Sequence, residues 1–123
     1  MEQRDQVKQI VSKLWRVQYK VVGDTSIDKL YDAVQNKLPL DELLITAKGG
    51  SSFDLHSAWQ LLYEAIDLTV GVLTLYGMWK QRNKQAPTKE EILQLLREAK
   101  TANSYSQAVL DKLGAVIEQV SEK

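Results

Sequence analysis

LTVGVLTLYGMW, residues 68–79, runs twelve residues without a charge in a chain of which 26% is charged. Three readings compete for it: a membrane segment, a cofactor pocket, and the middle of a buried helix. A helix that crosses a bilayer needs about 20 apolar residues. Here Asp67 and Lys80 close the run, and Glu64 stands one turn further back. Each charge near the bilayer centre costs about 3 kcal/mol, so the sequence predicts no transmembrane segment. A helix that is apolar nearly all round at this length points to a central core helix. The expected cover for residues 68–79 is the other helices of the same chain.

The apolar periodicity extends well beyond the run. One seam is Leu55, Trp59, Leu62, Ile66, Leu73 and Tyr76; the other is Ala58, Leu61, Ala65, Leu68, Val72, Leu75 and Trp79. Spacings of three and four place each seam on one helix face. A single helix over about residues 52–84 follows, about 50 Å long. Ser51 with Asp54 reads as a capping box at its start. The stripe Gln60, Glu64, Asp67, Gly71, Thr74 gives its first half a wet face that fades in the second. Gly71 and Gly77 cost about 1 kcal/mol each in a helix interior and mark places for a kink. With Thr74 they also notch a bulky surface, read first as a packing groove and second as an assembly seam.

The flanking segments are helical too. Val7, Ile10, Val11, Leu14, Trp15, Val21 and Val22 keep one phase, which predicts a single helix rather than a strand at 17–22. Gly23 is its expected stop. Thr25 and Ser26 are set to cap a second helix bearing Ile27, Leu30, Tyr31 and Val34, which Asn36-Lys37 ends. Pro39 is placed to open a short third helix, LPLDELLITAK, that Gly49-Gly50 ends. Thr88-x-x-Glu91 and Ser104-x-x-Gln107 are two further capping boxes, opening Ile92–Ala99 and Val109–Val120. The fold class is all-α: a single bundle of five or six helices around one long central helix, in one domain, residues 1–123.

At 123 residues the chain buries enough surface to fold without a disulfide or metal. Its 16 basic and 16 acidic residues are spread evenly, so no charged arm offers itself to nucleic acid or anionic lipid. The absence of cysteine removes disulfides, thiolate metal sites and a cysteine nucleophile. MEQRDQVKQI lacks the apolar core of a signal peptide, and a cytoplasmic location is expected.

Chemistry-bearing patterns are sparse. His56, the single histidine, stands near Asp54, Ser51, Ser52 and Ser57, but no nucleophile motif accompanies it; it reads as a histidine beside a helix cap. Lys48-Gly49-Gly50-Ser51-Ser52 opens a helix without the Walker register and reads as an interhelical turn. Glu64 and Asp67 share a face as bundle metal ligands do, yet the Glu-x-x-His pairs such sites need are missing. No catalytic residue, cofactor or metal is expected.

What remains is surface. The leading expectation is a non-catalytic protein–protein interaction module, a small adaptor or regulatory subunit that docks a protein partner or itself. Trp15 and Tyr19 on the first helix are its candidate anchors, with Val70, Gly71, Thr74, Gly77, Met78 and Trp79 on the long one. The alternative is nucleic-acid binding through Lys13, Arg16, Lys20, Lys80, Arg82 and Lys84, which requires the six to converge. Cations at a helix C-terminus are also favoured by the helix dipole without any ligand. Membrane association of the apolar helix is a third reading.

Overall fold

A computed structural model describes residues 2–38, 53–85, 87–98 and 105–121. Among these residues there are seven helices: α1 (Gln3–Leu14), α2 (Arg16–Val22), α3 (Asp24–Gln35), α4 (Phe53–Asn83), α5 (Lys89–Glu98), α6 (Gln107–Leu110) and α7 (Leu113–Ser121). The protein is all-α, and the long helix is continuous over 31 residues. Its contacts group into two units, Met1–Asp67 and Leu68–Lys123, and α4 runs through both.

In the first unit, the single helix expected over 7–22 is broken. Trp15 takes φ −123°, ψ 53°, outside the helical region, between α1 and α2. The ladder still passes through it, since its N–H donates to Val11 O at 2.8 Å and its C=O accepts from Tyr19 N at 2.9 Å. The bend turns the Trp15 indole into the core at 1% exposure and leaves Arg16 and Val17 outside. Helix α2 contributes no buried residue, so Val21, placed in the buried stripe by periodicity, is exposed. Gly23 then serves two helices at φ +92°, ψ 151°, a conformation essentially reserved for glycine. Its N–H ends α2 on Tyr19 O, and its C=O receives Ile27 N to begin α3. Thr25 and Ser26 therefore lie inside the first turn of α3, two and three residues past its N-cap Gly23, and do not form the cap expected of them.

Helix α3 ends in a Schellman motif: Leu38 N–H reaches Ala33 O at 2.8 Å and Lys37 N–H reaches Val34 O at 3.2 Å. The motif needs a left-handed residue, and Lys37 occupies that place at φ 57°. A side chain there costs about 1–2 kcal/mol, partly offset by the greater chain entropy of unfolded glycine. Lys37→Gly is expected to raise stability by about 0.5–1 kcal/mol in urea unfolding; a loss of stability would mean the lysine side chain makes a compensating contact. The core of this unit is Val7, Ile10, Val11, Trp15, Ile27, Leu30, Ala58, Trp59, Leu62, Ala65 and Ile66. Tyr63 Oη donates to Leu38 O at 2.5 Å, tying α4 to the end of α3.

In the second unit, α5 and α7 pack together. The capping box forms as read: Thr88 N–H donates to Glu91 Oε1 at 2.9 Å, and Glu91 N–H to Thr88 Oγ1 at 3.2 Å. The box expected of Ser104 with Gln107 begins outside the described residues; the Gln107 side chain bonds elsewhere. Its Nε2 donates forward to Asp111 Oδ1 at 2.7 Å, and Ser106 is the N-cap. The helix expected to run on to Val120 is interrupted at Asp111-Lys112, giving α6 and α7. Leu68, Val72, Ile92, Leu96, Val109, Val116 and Ile117 form this unit's core. The 39–48 helix, the Ser51–Asp54 box, the glycine turn and the His56 side chain lie outside the described residues, as does Ser104.

Candidate functional site

Along α4, Trp59, Leu62, Ala65, Ile66, Leu68 and Val72 are buried, and burial falls off beyond Val72. Leu62, Ala65, Ile66, Leu68 and Val72 are fully buried. Val70, Leu73, Leu75, Tyr76 and Trp79 are only half-buried, Thr74 and Gly77 are exposed, and Met78 is 55% exposed. The expectation that the chain's own helices cover all of residues 68–79 is thus corrected. The packing-groove reading of the glycines finds no packed neighbour among the described residues: a Cβ built on Gly71 or Gly77 meets nothing within 4 Å. Thr74 Oγ1 donates to Val70 O at 2.8 Å, which satisfies its hydroxyl within the helix.

By length and composition, Ser57–Asn83 is a helix able to cross a membrane, and 33% of its most apolar window is buried. The count of uncharged residues alone misses this, because Leu61, Leu62, Ala65 and Ile66 extend the apolar character past Asp67. Lys80, Arg82 and Lys84 are exposed at the C-terminal end, where the helix dipole favours cations. Lys84, at φ 58°, donates its N–H to Lys80 O at 2.8 Å and closes the helix. Beside this end a cleft of about 250 Å³ is lined by Trp79, Glu91, Gln94 and Leu95. Trp79 Nε1 is buried there with no hydrogen-bond acceptor among the described residues.

The other candidate residues separate into two groups. Trp15 is in the core rather than on a surface. Tyr19 Oη donates to Asp24 Oδ1 at 2.5 Å. Lys13, Arg16 and Lys20 are exposed in the first unit and Lys80, Arg82 and Lys84 in the second, so each unit carries three of the six.

One cluster is not anticipated by sequence patterns. Lys8 of α1 reaches Asp24 and Asp28 of α3, each at 3.1 Å, and Tyr19 of α2 shares Asp24. A groove lined by Asp5, Lys8, Gln9, Ser12, Tyr19 and Asp24 lies over it. The hydrogen bond from Tyr19, then that from Lys8, holds the Asp24 carboxyl below its ordinary range. Burial first, and then the bond to Asp24, pushes the Tyr19 phenol up. Partial burial pulls Lys8 down, but its bonds to the two carboxylates more than offset that and raise it. Each polar group is matched by another, so the cluster fastens three helices. Further along, Arg4 joins α1 to α3, pairing with Asp32 at 2.6 Å and lying over the Tyr31 ring at 5.3 Å. Among the described residues, no group of three or more His, Asp or Glu is placed to hold a metal ion.

The fold and site define an all-α protein with an apolar helix face that is partly exposed among the described residues. No protein-family model, curated protein or solved structure matches the chain.

Proposed function

We propose that this protein is a non-catalytic, cytoplasmic helical interaction module, an adaptor or regulatory subunit that docks a protein through residues 70–79 of α4. The supporting observation is the exposure of that stretch. Met78 stands 55% exposed and the Gly71–Gly77 surface is open, on a helix otherwise apolar enough to be core. A contiguous apolar patch on a soluble chain marks a contact surface. Met78 suits the role because its flexible thioether adapts to a facing surface. Tagged chain recovered from cells is expected to retain proteins that the Met78→Glu chain loses, at unchanged helical circular dichroism. Equal recovery by both would sink the proposal.

Membrane association is the second reading, favoured by the length and composition of Ser57–Asn83. Glu64 and Asp67 weigh against full insertion, at about 3 kcal/mol for a charge at the bilayer centre. Flotation with phosphatidylcholine–phosphatidylserine vesicles discriminates: the first reading requires the chain to stay with the soluble fraction.

A further inference from the structure

We infer that the occupant of this face is an acidic amphipathic helix of another protein, its carboxylates set against Lys80, Arg82 and Lys84. The inference rests on the docking reading above and adds to it the chemistry of the partner. Residues 68–89 hold four lysines and arginines and no Asp or Glu. Lys80, Arg82 and Lys84 are exposed, and among the described residues none of them has an ion-pair partner. The helix dipole accounts for cations in the last turn of α4, but it supplies no carboxylate to meet them.

The exposed residues beside these cations form a stripe. Thr74, Gly77, Met78 and Gln81 stand at i, i+3, i+4 and i+7, the spacing of one helix face. A stripe of that width is what a second helix covers. Helix geometry puts Arg82 on one flank of it and Lys80 on the other, with Lys84 at its tip. The open space at Gly71 and Gly77 lets the partner's backbone come close, and Met78 packs on its apolar side. Thr74, Gly77 and Gln81 are polar or small, which suits a mixed protein surface and not the acyl region of a bilayer. Among helices of equal apolar fit, charge then selects: a basic partner meets repulsion from three cations, and an acidic one pairs with them.

Photo-crosslinking with the full chain tests the partner's chemistry. The chain has two methionines, Met1 and Met78, so photo-methionine incorporated throughout places a diazirine on the docking face with little change of shape. After irradiation in cell lysate, peptide mass spectrometry identifies the segment joined at Met78. It is expected to be a protein segment of net negative charge with apolar residues at helical spacing. Reversing the three cations together (Lys80→Glu, Arg82→Glu, Lys84→Glu) is expected to lower that crosslink about tenfold, at unchanged helical circular dichroism. The same reversal at Lys13, Arg16 and Lys20 of the first unit changes the net charge equally and is expected to leave the crosslink intact.

A Met78 crosslink to a neutral or basic protein segment overturns the acidic helix and leaves the docking face standing. A crosslink to lipid overturns both. Equal losses from the two triple reversals, or a loss from neither, also overturn the inference, because the cations beside Met78 would then play no particular part. If no protein crosslinks at Met78 and Met78→Glu loses none from cells, the docking reading fails with it.

Discussion

Replacing Trp15 by alanine is expected to cost about 3–5 kcal/mol of unfolding free energy, a large share of what a chain this size has to lose. The indole is 1% exposed and stands at the bend between α1 and α2. Truncation there leaves a cavity lined by fixed helices, and it also removes what the bend accomplishes. With nothing to bury at position 15, the chain loses its compensation for the non-helical φ and ψ. Val17→Ala, two residues on, is the control, because Val17 is 69% exposed; a substitution at such a site stays within about 0.5 kcal/mol. Urea unfolding followed by circular dichroism measures both. A cost below about 1 kcal/mol for Trp15→Ala would remove the indole from the core and make it a surface anchor again.

Trp15 also shows where the sequence stops being legible. Residues 7–22 keep a helical apolar phase, and no proline or glycine interrupts it, so periodicity continues the helix through a bend that tertiary burial imposes. The break at Asp111-Lys112 is of the same kind. Gly23, Thr88 with Glu91, and the span of α4 were readable because each is a local device: a backbone conformation, a pair of reciprocal bonds, a sustained stripe. The left-handed Lys37 was not, since the motif's geometry is intact while its usual residue is absent.

The same division holds at the candidate site. The sequence marks residues 68–79 as needing cover on every side, and periodicity says which of them share a face. It does not say how far the neighbouring helices reach along α4, and among the described residues burial falls off beyond Val72. The Lys8–Asp24–Asp28–Tyr19 cluster was hidden for a related reason. Lys8 and Asp24 are 16 residues apart on different helices, and only the turn at Gly23 brings them to bonding distance.

Ile92→Ala is expected to cost about 2–5 kcal/mol, several times the cost of removing the cap that precedes it. Two devices act on the start of α5, and they differ in kind. Thr88 and Glu91 satisfy two backbone N–H groups that water also reaches, so Thr88→Ala costs about 1 kcal/mol. Ile92 is fully buried one residue after the box, and Pro87, just before the cap, is buried as well. These are the positions of a hydrophobic staple, which fixes the angle at which the chain enters the helix. Ile92 carries the packing term as well, because α5 meets α7 and half its length faces solvent. Sequence patterning alone ranks the box first, as the clearest motif in the chain; buried area ranks the isoleucine first. Thermal unfolding of the two single variants decides between these rankings. Equal shifts would mean that the N-terminal bonds, rather than the packing beneath them, hold α5 in place.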